Sequence, residues 1–287
     1  IFVGRDPARP DRMFEFVDGL DCRPPRADKW IVNVSTQYGC PIECLFCDAG
    51  GGYRGNIPPD LLLAQIEAVL DRHDAALRHT CAKLKVHFSR MGEPALNPAV
   101  PEALELLPGV VQNPNLWACV ATTLPEGSDA WFARLVEVKE RLYRGRFQLQ
   151  LSINSTDEAW RKRLMPFPHA HLPIVAERGL LFWRSGDRKV VLNFALAAGV
   201  PVDPAIVGAL FDPAVFMVKL TPLNPTARGA ETGLTTAFCP ASPAGVDRLV
   251  GDLRTRGFDV VVSVGDTRED EIGSNCGQAV RRFAKAG

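Results

Sequence analysis

The sequence predicts an α/β fold, a partial barrel of six βα units followed by a C-terminal strand and an active-site loop. Three observations carry this expectation. Apolar runs of strand length alternate with amphipathic helical windows from Trp30 onward. Repeated βα units favour a parallel sheet with helices outside it. Six units are too few to close an eight-stranded barrel, so the sheet should stay open.

Trp30–Thr36 reads as the first strand, and Pro59–Arg72 as a helix with Pro58 and Pro59 at its start. Leu84–Ser89 and Val100–Leu107 form the second unit, and Leu116–Thr122 and Ala130–Leu142 the third. Gln148–Asn154 leads into helical stretches at Glu158–Leu164 and Ile174–Arg184. Val190–Ala197 with Pro204–Leu210, and Phe216–Thr221 with Ala244–Arg256, complete six units, and Asp259–Val264 is a further strand. Residues 1–29 are polar and weakly patterned, a lead-in and not a domain, which leaves 30–287 as the barrel with its terminal loop. Pro222–Pro243, rich in Thr, Gly, Pro and Ala, is long enough to be a functional lid at the rim.

Composition narrows the function classes. Hydrophobic residues at 46% and charged residues at 23% are ordinary for a globular protein. Thirty-three basic residues balance 33 acidic ones, which counts against a broad grip on RNA phosphates while leaving room for a local basic patch. Eight cysteines in 287 residues are not the dense framework of a small secreted domain. No stretch reads as a membrane span or a signal peptide, so a cytoplasmic location is expected.

Cys40-x-x-x-Cys44-x-x-Cys47 is the most specific feature. Three thiolates this close can hold three corners of a [4Fe-4S] cluster and leave the fourth iron open, where a pure electron carrier would normally supply a fourth cysteine. Phe46 is placed to cover one side. A zinc site would want a fourth Cys or His at ligand spacing, and none lies near.

The pattern resembles the radical S-adenosylmethionine (SAM) superfamily, in which SAM chelates the open iron and its reductive cleavage yields a 5'-deoxyadenosyl radical. That resemblance implies SAM as cofactor and an electron donor such as flavodoxin or ferredoxin as partner. Gly92-Glu93-Pro94, after the second strand, resembles the segment that binds the SAM amino group. Gly permits close backbone approach and a carboxylate accepts strong bonds from an ammonium. Ser152 and Asn154 end the fourth strand, Asn224 follows the sixth, and Thr122 with Thr123 ends the third. All offer neutral donors and acceptors suited to ribose and carboxylate.

Ser-Thr-Gln-Tyr-Gly-Cys, Met-Gly-Glu-Pro-Ala-Leu-Asn-Pro, Pro-Leu-Asn-Pro and the terminal Asn275-Cys276-Gly277-Gln278 resemble, in order, the RNA adenine methyltransferase branch, which acts at carbon 2 or carbon 8. The resemblance spans about Trp30 to Phe283. It implies that Cys276 takes a methyl from one SAM and that a second SAM activates it for addition to the substrate. Cys22, Cys81, Cys119 and Cys239 have no such context and default to structural roles.

The departures matter as well. The branch carries a resolving cysteine seven positions before the first cluster cysteine, and here that position is Asn33. Its preceding RNA-binding domain has no counterpart in residues 1–29, and its Ser-Leu-His reads Ser152-Ile153-Asn154. The branch's upstream carboxylate base has three candidates, Glu15, Asp18 and Asp21, while Cys22 or Cys239 are candidates for the missing thiol. These losses favour a small-molecule or nucleoside-like substrate over intact ribosomal RNA. The competing readings are direct hydrogen abstraction without methylation, RNA adenine methylation, and an RNA-binding module that keeps its cluster for structure alone.

Overall fold

The computed structural model describes residues 1–19, 24–238, 244–264 and 275–286. Its centre is one nine-stranded sheet in chain order, β1 (Phe2–Asp6), β2 (Arg9–Gly19), β3 (Trp30–Val34), β4 (Leu84–Phe88), β5 (Leu116–Thr122), β6 (Phe147–Ser152), β7 (Val190–Leu196), β8 (Phe216–Pro222) and β9 (Val260–Val262). From β3 to β9 every pair is parallel, whereas β1, β2 and β3 pair antiparallel. The order β1 to β9 has two ends that do not pair with each other, so the half-barrel is open as expected.

Helices α1 (Pro59–Leu70), α3 (Ala99–Val111), α4 (Asp129–Leu142), α5 (Glu158–Leu164), α6 (Leu172–Phe182), α7 (Pro204–Leu210) and α9 (Ala244–Thr255) connect the parallel strands. Short helices α2 (Ala75–Thr80) and α8 (Ala227–Glu231) and the terminal α10 (Gln278–Ala286) were not legible as periodic windows. Asp74 starts α2 by accepting from Ala76 N, a cap that suffices for a single short segment.

The strands alternate, although fully buried parallel strands usually do not. Trp30, Val32 and Val34 of β3, Leu84, Val86 and Phe88 of β4, and Phe216, Val218 and Leu220 of β8 are buried. Between them lie Asn33, Lys85, His87, Lys219 and Thr221, which are only partly covered. One face therefore carries the apolar core and the other lines a polar hollow, as a period of two requires.

The lead-in is more ordered than its composition suggests. β1 and β2 form a hairpin whose turn is fixed by Asp6 accepting from Ala8 N, with Phe2 stacked on Phe16 at 5.1 Å between centroids. Asp18, one of the three base candidates, is committed elsewhere: its carboxylate accepts from Trp30 Nε1 at 2.9 Å and from Arg26 at 2.8 Å, and lies 2.8 Å from His73 Nε2. Burial opposes its charge, but these bonds outweigh it and hold the carboxyl below the ordinary range. Asp18 thus ties the hairpin to the barrel. Asp21, Cys22 and Cys239, and the acidic stretch 265–274, lie outside the described residues.

Candidate active site

The loop leaving β3 carries all three cluster cysteines over the open end of the half-barrel. A cavity of about 440 Å³ beneath it is lined by Cys40, Cys44, Cys47, Gly92, Glu93, Ser152, Asn154 and Cys276, among others. Seven parallel strands point their carboxyl ends at this loop, the place where such sheets carry chemistry.

The three thiols line one cavity and stand close enough to oppose one another's ionisation, and among the described residues no group of three His, Cys, Asp or Glu is set to hold a single ion. Burial pushes the Cys40 and Cys44 thiols up, so a cation's charge is what would make them thiolates. Phe46 packs with Cys40 and Cys44 around Ile42, Leu164 and Met165, an apolar flank that would keep water from a cluster. The donor set fits a [4Fe-4S] cluster.

The loop is locked from behind by a residue that sequence reading passed over. Asp48, next to the last cluster cysteine, accepts from Ala227 N and Arg228 N at 3.0 and 2.9 Å and pairs with Arg281 at 2.5 Å. It fastens both α8 and α10 to the cluster loop. Thr232 and Thr226 add bonds to the carbonyls of Leu45 and Phe46. The only advance signal was an acidic residue adjoining a cysteine run.

Gly92 has a positive φ of 100°, and a Cβ there would sit 2.7 Å from Gln37 N. Only glycine lets the β4 loop pass this close, and Gln37 then receives Glu93 N at 2.8 Å. Glu93 is 3% exposed and faces the cavity. Its carboxylate accepts from Ala95 N, Thr123 N and Thr123 Oγ1 at 2.9–3.0 Å, while burial pushes its carboxyl up. The Thr122 hydroxyl is a further donor to it, and a ligand ammonium would meet this carboxylate from the cavity side as a charge-assisted pair. Glu93→Gln should weaken SAM binding by about 1.5–3 kcal/mol, a charged hydrogen bond, measured by equilibrium titration of the reconstituted protein. Because Thr123 also leans on Glu93, a fall in the apo melting temperature should accompany it.

Two expected contacts are displaced. Thr122 does not line the cavity: its Oγ1 accepts from Leu124 N at 2.9 Å and its hydroxyl bonds to the Glu93 carboxylate, whereas Thr123 and Ala121, one residue to either side, line the cavity. Asn224 is exposed and off the cavity, because the chain turns outward past Pro222 toward α8. Asn154 is in place, in the left-handed region at φ 61°, with its Oδ1 receiving Ala195 N at 3.1 Å. Asn33, His87, Gln150, Asn193 and Lys219 also line the cavity; of these the sequence motifs single out Asn33 alone.

Cys276 reaches the cavity from the far end of the chain. Its thiol donates to the Cys47 sulfur, and this bond together with burial holds the Cys276 thiol well above its ordinary value. Gly277 follows at φ 88°, and a Cβ there would collide with Ala49 N at 2.3 Å. Glu15, with a side chain 0% exposed, accepts from Gly277 N, Ala279 N and Val280 N at 2.6, 3.1 and 3.2 Å and pairs with Arg90 at 2.7 Å. Of the two upstream candidate carboxylates among the described residues, Glu15 and Asp18, Glu15 is the one that meets the Cys276 turn.

No family model matches the chain. It is 28% identical over 263 residues to a probable dual-specificity RNA methyltransferase RlmN of Gemmatimonas aurantiaca, covering 87% of this chain and 68% of that protein. A protein of the same description from Frankia casuarinae is 32% identical over 264 residues, 88% of this chain and 58% of that one. A radical SAM methyltransferase from Sphaerobacter thermophilus shares the fold, with a TM-score of 0.70 at 23% identity, covering 96% of this chain and 75% of that structure.

Proposed function

We propose, from the premise that the chain belongs to the radical SAM superfamily and resembles its RNA methyltransferase branch, that it transfers a one-carbon unit from SAM through Cys276 to a substrate other than intact ribosomal RNA. The observation that carries this is the meeting of Cys276 with the cluster cysteines in one cavity. Cys40, Cys44 and Cys47 would hold the cluster, which when bound would supply the electron for reductive cleavage of SAM. The chain's own residues would do the rest. Glu93 holds an ammonium, Ser152 and Asn154 offer neutral hydrogen bonds to the ligand, and Thr123 keeps the Glu93 carboxylate oriented. Glu15 and Arg90 hold the Cys276 turn so that its sulfur stays over the cavity.

Asn33 favours a substrate different from that named for the relatives. It lines the cavity where the branch would place its resolving thiol, and an amide cannot form the disulfide that releases an adduct. The competing reading, RNA adenine methylation, draws on the relatives' description.

Anaerobic incubation with methyl-deuterated SAM and reductant should add one labelled methyl to the Cys276 peptide by mass spectrometry. Cys276→Ala should abolish product while retaining cluster iron and SAM cleavage. Product from a wild-type enzyme whose Cys276 stays unmodified would sink the methyl-carrier role. Asn33→Cys should not create activity on an adenine-containing RNA fragment; robust methylation there would restore the RNA reading.

A further inference from the structure

We infer that the inner face of the half-barrel carries an anion seat, built by Lys219 and His87, that receives the carboxylate or phosphate of a small-molecule substrate. This rests on the cavity being the active site and names the substrate class for it; it is independent of the role of Cys276.

Lys219 occupies an inward position of β8, between buried Val218 and Leu220 and in register with Asn193 of β7. It is partly buried, lines the cavity and has no hydrogen bond or ion pair with any described residue. The cavity's other charged side chains have protein partners: Arg90 pairs with Glu15, although its Nε has none, and Glu93 accepts from Thr123 and Ala95. His87, on β4 and in register with Asn33, also lines the cavity, and its Nε2 is shielded from solvent with no partner. Lys85 lies two residues earlier on the same face of β4. The charged neighbours felt by His87 are Lys85, Lys219 and Lys29, all cations.

A native barrel interior does not ordinarily leave an ammonium without an anion, since an unpaired charge away from water is costly. Here burial holds Lys219 and Lys85 below their ordinary range, and only the thiol of Cys119 supports their charge. An anionic ligand would complete the set: an ion pair with Lys219, a bond to His87, and neutral bonds from Asn33, Gln150 or Asn193, which line the same cavity. Lys219 stands three residues inside the end of β8, within a cavity of about 440 Å³, the scale of a small-molecule site.

The test uses the full chain, anaerobically reconstituted and SAM-loaded, with inorganic phosphate and acetate as probes at ionic strength matched with chloride. One or both anions should raise the melting temperature by a few degrees through selective binding to the native state, and their relative effect tells phosphate from carboxylate. Lys219→Met should erase this rise yet keep SAM affinity within about twofold, and Lys219→Arg should retain it. No rise over chloride in the wild type, or an equal rise in Lys219→Met, overturns the inference. A tenfold or greater loss of SAM affinity in Lys219→Met would assign the lysine to the SAM carboxylate and also overturn it. So would an RNA fragment that binds through Lys219 more tightly than either probe. Methyl label on Cys276 is read separately: its loss with the anion effect intact would defeat the methyl-carrier role alone.

Discussion

Replacing any one of Cys40, Cys44 and Cys47 by Ala should bring cluster iron and SAM cleavage to background, at least a 100-fold loss. Removal of groups that merely orient a metal ligand already costs about 10–100-fold, and a direct ligand should exceed that. The apo fold should be little disturbed. All three cysteines are residues of intermediate exposure whose thiols line the cavity and lie outside the main core. Iron and sulfide analysis after anaerobic reconstitution, read beside the apo melting temperature, checks both halves. Stoichiometric zinc with low iron would defeat the cluster assignment.

Glu15→Gln should have the next largest effect, on both stability and the methyl-carrier step. Glu15 is fully buried, receives three backbone N–H groups from the Cys276 turn and the start of α10, and neutralises Arg90. Gln keeps the shape but leaves Arg90 without its counter-charge and turns an amide toward backbone donors. Breaking a buried pair by removing one partner costs about 3–5 kcal/mol, so a melting-temperature drop of roughly 5–8 °C is expected for a chain of this length. Cys276 labelling should fall in proportion, while iron content stays near wild type because Glu15 touches none of the cluster cysteines. Arg90→Met paired with Glu15→Gln should recover part of the stability, since no uncompensated charge then remains. Full labelling in a destabilised Glu15→Gln enzyme would show that the clamp serves folding and not the thiol.

Much of this molecule was legible from its residues in order. The βα rhythm depends on apolar spacing and turn residues, which are local, and so Leu116–Thr122, Glu158–Leu164 and Pro204–Leu210 fall where their patterns put them. The run Cys40-x-x-x-Cys44-x-x-Cys47 and Gly92-Glu93 stand out in the sequence by short spacing, and the structure brings both to one cavity. Other features needed the tertiary structure. The β1–β2 hairpin carries too many charges to read as strand, and it is held by packing on β3 and α10. Thr122 and Thr123 differ by one residue, which in a strand is the difference between two faces.

Glu15 meets Gly277 across 262 residues, and Asp48 meets Arg281 across 233; no local pattern encodes such pairs. Lys219 and His87 looked like ordinary strand residues until the half-barrel turned both toward one cavity. The sequence by itself determined the chemistry on offer, because thiols and carboxylates keep their reactivity wherever they are placed. Only the closing of the sheet decided which of them face each other, because that depends on register and burial summed over the whole chain.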